Sequence, residues 1–250
     1  MLNPKIKLKK VGNQEMEKLK RKEKLPQTLP KDTEKSKKTK ELIYNTAISL
    51  FQKDGYEKTT MRSISSQAGV SLGSAYYYFE SKEDIVLQFY YFSQEDAKVQ
   101  SEEFNKSTND FKKRFKNIIL YKIDSFAKYK NFVSVLAKNA GDPNHSISPF
   151  SEETKQIRED AIQIIREALE SSNLKLKGEI VSLLPELLWL YQLGIVYFWI
   201  SDSSKSSQRT KLIVDESLDM VFKLIQISKF PFFKTVIGSI LKLYRLVKGN

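Results

Sequence analysis

Between Thr59 and Ser81 the chain places helix starters and helix stoppers so close together that only brief helices fit between them. Thr59-Thr60 can cap a helix on which Met61, Ile64 and Ala68 share an inward face, and Gly69 breaks it. Ser71 can cap another, Leu72 to Tyr78. Ser81, with Glu83 and Asp84 in the first turn, starts a longer one through Ile85, Phe89 and Phe92. Upstream, Ile43, Ala47, Leu50 and Phe51 fall on one helix face between Ser36 and Gln52, and Gly55 ends that run. The pattern predicts three short helices followed by a long one.

Two short helices joined by a tight glycine turn, behind a supporting helix, form a helix-turn-helix, whose second helix lies in the major groove of DNA. A groove-facing helix must be small and polar where it enters. Leu72-Gly73-Ser74-Ala75 suits this: Gly73 lets the backbone approach, and the Ser71 and Ser74 hydroxyls can meet phosphates or base edges. Tyr76, Tyr77 and Tyr78 point about 100° apart on a helix, so they cannot all be buried. A tyrosine there can donate to a phosphate or press on a thymine methyl, and Lys82 can add a phosphate contact. Ordinary core aromatics are the plainer alternative.

The stretch from Thr59 to Ile85, including Ala68-Gly69-Val70-Ser71, Gly73, Tyr76, Tyr78-Phe79 and Ser81-Lys82-Glu83, resembles the signature of the TetR family over residues 37–97. The resemblance implies an all-α fold: an N-terminal three-helix helix-turn-helix DNA-binding domain followed by a larger helical ligand-binding and dimerisation domain. It implies phosphate contacts from Thr60, Tyr76, Tyr78 and Lys82, and base-edge contacts from Leu72, Ser74 and Tyr77, with Gly73 close to the DNA. Ala68, Val70 and Phe79 would be packing residues. Leu72 departs from the family's usual Lys, Arg or Gln, and its aliphatic side chain suits a thymine methyl. The implied function is a ligand-responsive, homodimeric transcriptional regulator, usually a repressor, on a near-palindromic operator in double-stranded DNA.

Charge is distributed unevenly. The net charge is +12, but residues 1–40 carry about 14 cations against 5 acids, leaving only a slight excess elsewhere. Residues 41–97 hold just Lys53, Lys58, Arg62 and Lys82 as cations against about eight acids. Phosphate neutralisation supplies most non-specific DNA affinity, so the lysines of the arm, such as Lys18, Lys20, Lys22, Lys35 and Lys38, are candidates to supply it. Residues 1–35, rich in lysine and interrupted by Pro4, Pro26 and Pro30, read as a flexible basic arm, and a merely solvated tail is the alternative. Residues 36–97 then form the DNA-binding domain, with the helix-turn-helix at 60–79, and 98–250 the C-terminal domain.

Beyond residue 105 helical spacing predicts elements near 108–129, 131–139, 150–171, 177–202, 207–228 and 231–248. Leu183 to Ile200 is apolar all round, with Gly194 allowing close helix approach, and Val214, Leu218, Val221, Phe222 and Ile225 form a stripe on the next helix. These look like a dimerisation pair, and the resemblance places the homodimer interface at about 180–202 and 207–228. Phe89, Phe92, Phe126, Tyr129, Phe132, Trp189 and Trp199 are candidates to line a pocket for an apolar small-molecule effector, with core filling the rival use of each.

No cysteine is present, so no disulfide or thiolate site can form, and the N-terminus lacks the apolar run of a secretion signal; the expected location is cytoplasmic. The most apolar window, Leu187 to Ile200, is interrupted by Gln192 and reads as a core helix, and no membrane partner is expected. His145, the single histidine, lies in a turn-rich segment without nucleophile or metal-ligand spacing, so neither an enzyme, nor a metal site, nor a cofactor is expected. Two rivals stand beside the regulator: a peripheral membrane or scaffold protein, suggested by the basic and apolar faces of 231–248, and a small helical enzyme acting on an apolar substrate.

Overall fold

A computed structural model describes residues 33–227 except 140, 143, 177 and 179, together with 238, 239, 242 and 246. The expected arm 1–35 lies outside this span up to residue 32, and so does nearly all of the expected helix 231–248. Among the described residues every regular element is helical.

The helices are α1 (Glu34–Lys53), α2 (Met61–Ala68), α3 (Leu72–Tyr78), α4 (Lys82–Ser107), α5 (Phe111–Phe126), α6 (Lys130–Asn139), α7 (Lys155–Glu170), α8 (Ile180–Ser201) and α9 (Gln208–Ile227). Short 3₁₀ turns at Ala127–Tyr129 and Lys205–Ser207 precede α6 and α9. The chain divides into two units, Met1–Ile43 and Tyr44–Asn250, and α1 runs through the division. In the first unit the Thr33 hydroxyl caps α1 by accepting from the Ser36 amide at 3.2 Å.

Within the second unit, α2 is held by a capping box in which the Thr60 hydroxyl accepts from the Ser63 amide at 3.1 Å while the Thr60 amide donates to Ser63 Oγ at 3.0 Å. Gly69 closes α2 with φ of 66°, a left-handed conformation that glycine adopts without strain. Ser71 and Ser81 cap α3 and α4 through the amides of Ser74 and Asp84. All three expected caps are therefore made.

The long helix α4 leads out of this module and packs on α5 and α7, and α7 packs in turn on α8. Phe89, Phe111, Phe115, Ile119, Phe132 and Trp199 are fully buried or nearly so. Arg114 is 1% exposed, and its guanidinium donates to the carbonyls of Asn105 at 2.7 Å and Ala168 at 2.9 Å and to Ser171 Oγ at 2.9 Å, tying α4 and α7 to α5.

Three expectations need correction. Residues 150–154, expected to open a helix at 150, form turns instead: Thr154 Oγ1 donates to the Ser148 carbonyl at 2.6 Å and Ser151 Oγ to that of Ser146 at 2.9 Å. Hydroxyls so placed compete with helix formation. The stripe of Val214, Leu218, Phe222 and Ile225 is buried inside its own protomer, with Phe222 centred 5.7 Å from Phe111. Finally, α8 falls within the expected 177–202, but the whole of its 22 residues is long and apolar enough to cross a membrane, where the window from Leu187 to Ile200 alone is too short. One face, including Leu184, Leu188, Trp189, Ile195 and Trp199, is buried against the protein; Leu190, Gly194 and Tyr197 are exposed.

Candidate functional site

On α3 the side chains separate by face. Ala75 and, at its C-cap, Phe79 are buried; Ser71, Gly73, Tyr76 and Tyr77 are exposed, and Leu72, Ser74 and Tyr78 are half-buried. Tyr76 is 49% and Tyr77 60% exposed, so two adjacent aromatic rings on α3 are open to a partner. The Tyr77 ring meets that of Tyr78 edge-on with centroids 5.0 Å apart, which holds it outward. A Cβ built on Gly73 meets nothing within 4 Å, so the backbone there is open to an approaching duplex. Thr60, at the start of α2, is also exposed.

Lys82 occupies a different position from the other expected phosphate contacts. Its ammonium donates to the Tyr56 carbonyl at 3.0 Å and lies 4.1 Å from the centre of the Tyr56 ring. The Tyr56 hydroxyl donates to Glu83 Oε1 at 2.6 Å. Burial pushes the Glu83 carboxyl up, but this hydroxyl, the backbone and Ser81 outweigh it and hold the group below its ordinary value. Lys82 and Glu83 thus clamp the turn after α1 to the start of α4.

A second site lies among the C-terminal helices. A cavity of about 120 Å³ is walled by α4, α5, α6, α7 and α8. Of the aromatic residues expected there, Phe89, Phe126 and Trp189 line it. The other four do not. Phe92 is exposed and meets Tyr44 edge-on at 5.3 Å; Tyr129 and Phe132 stand behind Phe89, each centred within 5.3 Å of it. Trp199 is buried and donates through Nε1 to Ser207 Oγ at 2.9 Å.

Sequence reasoning missed the polar side of the wall, which includes Gln94, Lys122, Arg158 and Gln192. Lys122 reads from sequence as one of several exposed lysines on an amphipathic helix, and only the crossing of α4 over α5 buries it. Two wider hollows, of about 400 and 320 Å³, lie beside α5 and α9. They are surface clefts in which Lys112 pairs with Asp219 and Lys116 with Asp215. Among the described residues no cluster of three histidine or acidic side chains is placed to hold a metal.

Residues 43–89 match the family described as "Bacterial regulatory proteins, tetR family", and residues 114–243 match "Tetracyclin repressor-like, C-terminal domain". An uncharacterized HTH-type transcriptional regulator of Bacillus subtilis, YerO, is 32% identical over 119 residues, covering 47% of this chain and 39% of that protein. The chain thus spans about two fifths of that relative's length.

Among solved structures, a protein of Syntrophomonas wolfei described as a TetR-family transcriptional regulator superposes with a TM-score of 0.59 at 20% identity, over 74% of this chain and 95% of that one. FadR of Bacillus subtilis, crystallised with stearoyl-CoA, does so with a TM-score of 0.57 at 19% identity, over 72% and 96%. At such identities the likeness is one of fold. Since the two family matches cover the helix-turn-helix and more than half of the chain, this protein is a member of the TetR family of bacterial regulatory proteins.

Proposed function

We propose that this protein is a cytoplasmic, ligand-responsive transcriptional repressor: a homodimer that reads a near-palindromic operator with α3 and releases it when a small molecule fills the cavity beside α4. The observation that carries the reading is the division of α3, which buries Ala75 and turns Tyr76 and Tyr77 outward together with Ser71 and Gly73. That is the side-chain arrangement a recognition helix needs.

Dimerisation is supported by the apolar surface that one protomer leaves open. Leu190 on α8 and Leu212, Met220 and Leu224 on α9 are exposed, and a Cβ on Gly194 meets nothing of its own chain within 4 Å. A second copy covering this face satisfies them, and two-fold symmetry then sets the recognition helices about 34–36 Å apart. An effector is supported by the cavity itself and by its position against Phe89 of α4, the helix that leads out of the DNA-binding module. FadR of Bacillus subtilis carries stearoyl-CoA on a similar fold. This reading involves no cofactor and no catalytic residue.

Selection of binding sites from randomised duplex DNA by the purified protein tests the proposal. Enrichment of two inverted half-sites separated by about one helical turn is expected. Absence of any enrichment at low salt contradicts it.

A further inference from the structure

Two cations are buried along α5, and the fold treats them differently. The Arg114 guanidinium is surrounded by carbonyls and hydroxyls that take up its donors. Lys122, two turns further on, is 8% exposed, and among the described residues its ammonium has a single hydrogen-bond partner, Gln94 Oε1 at 3.4 Å. Charged donors ordinarily sit closer, at about 2.7–2.9 Å, and an ammonium has three N–H groups to place. The ring of Phe126 is centred 6.0 Å away. Among the described residues no carboxylate pairs with Lys122.

Such a group is costly. A buried charge without a counter-ion destabilises the fold unless something else answers it. Burial alone pulls the Lys122 ammonium down to about 8, which still leaves it mainly charged at neutral pH. Lys122 lines the cavity, whose wall is otherwise chiefly hydrocarbon from Phe89, Val133, Leu136, Trp189 and Val196. A second cation, Arg158, is on the same wall, with Nη1 donating to the Pro149 and Ser151 carbonyls at 2.8 and 3.2 Å. Among the described residues no aspartate or glutamate lines it.

From this arrangement we infer that the cavity takes an amphipathic carboxylate, an apolar chain bearing one anionic head, with Lys122 as the counter-ion of the head and the hydrocarbon wall around the chain. The inference rests on reading the cavity as the effector site and names the effector's chemistry. A neutral apolar molecule would leave the ammonium unpaired while displacing any water that solvates it. An amphipathic cation would meet two like charges in an apolar enclosure. A carboxylate alone both fits the wall and supplies the missing acceptor.

Calorimetric titration of the full chain at pH 7 tests this, with octanoate, decanoate and dodecanoate each compared with the alcohol of the same length. Each acid is expected to bind at least about tenfold more tightly than its alcohol, the ratio that one well-placed charged hydrogen bond supplies. In Lys122→Met that preference disappears through weaker acid binding, with alcohol binding equal or stronger. Lys122→Gln, which keeps a polar tip without charge, is expected to behave in the same way, and thermal unfolding of both variants reports whether they are folded. Equal affinity for acid and alcohol in the unaltered protein, failure of every acid to bind, or a preference that survives both substitutions overturns the inference. Acid binding that leaves operator affinity unchanged supports the counter-ion role and contradicts the effector reading instead.

Discussion

The rings of Phe51 and Phe132 stack with centroids 5.2 Å apart and planes 15° from parallel. Phe51 belongs to α1, the supporting helix of the DNA-binding module, and Phe132 to α6 of the C-terminal helices. Phe132 also meets Phe89 edge-on at 5.2 Å, and Phe89 stacks on Phe126; the latter two line the cavity. A continuous aromatic contact therefore runs from the cavity wall to the module that carries α3. A small displacement of Phe89 by a ligand has rigid neighbours through which to act, provided the ligand binds two arrangements of them unequally.

That chain of rings predicts a separation of functions. Phe132→Leu keeps an apolar side chain but removes both ring contacts. It is expected to retain operator binding and ligand binding while weakening the effect of ligand on operator affinity, with a stability loss of about 1–2 kcal/mol. Fluorescence anisotropy with labelled operator, with and without a saturating ligand, measures this; an undiminished ligand effect rejects the route.

Arg114 is predicted to be structural. Arg114→Met removes the donors to the carbonyls of Asn105 and Ala168 and to Ser171 Oγ, and the Ala168 carbonyl then stays buried without its donor. A loss of roughly 3 kcal/mol in unfolding free energy is expected, read from the midpoint of urea denaturation. A shift too small to resolve removes Arg114 from the account of the fold.

Lys122 predicts a pH dependence. Its value in the folded protein, about 8, lies below its ordinary 10.5, so the charged form costs stability. The cost is fully present below pH 8 and disappears as pH rises towards 10.5. Of the other titratable groups on the cavity wall, Tyr90 of α4 is pushed up by burial and stays neutral, Arg158 comes from α7 and Tyr197 from α8, and α6 contributes none. A bound carboxylate favours the charged lysine, so acid affinity is expected to fall about tenfold between pH 7 and 9. Titrations in buffers of different ionisation enthalpy should show proton uptake at pH 8.5, and Lys122→Met should lose both effects.

The basic arm predicts a salt dependence. Deleting residues 1–32 removes about 10 cations from a DNA-binding module that is otherwise acidic. The slope of log affinity against log salt concentration is expected to become shallower by several units. An unchanged slope assigns the arm no part in DNA binding.

The DNA-binding module was legible in the sequence because its punctuation is local. Thr60, Ser71 and Ser81 each cap a helix within three residues of themselves, and Gly69 supplies the left-handed turn with no help from the rest of the chain. The cavity was legible only in part. Phe89, Phe92, Phe126 and Phe132 look alike in sequence, and only the crossing of α4, α5 and α6 decides which faces the cavity, which faces the core and which faces outward. Lys122 and Arg114 were hidden for the same reason, since a lysine or arginine on an amphipathic helix ordinarily lies in solvent. The apolar stripe of α9 was recognised as a packing face but not as an internal one, because periodicity gives the face of a helix and not its partner.

The claim on which the rest depends is that the exposed face of α3 contacts DNA. Tyr77→Ala tests it most directly, because a side chain 60% exposed contributes little to folding. Titrated against the selected operator, the variant is expected to lose about tenfold or more in affinity with its unfolding midpoint unchanged. Operator affinity equal to that of the unaltered protein would contradict the assignment of α3 as the recognition helix.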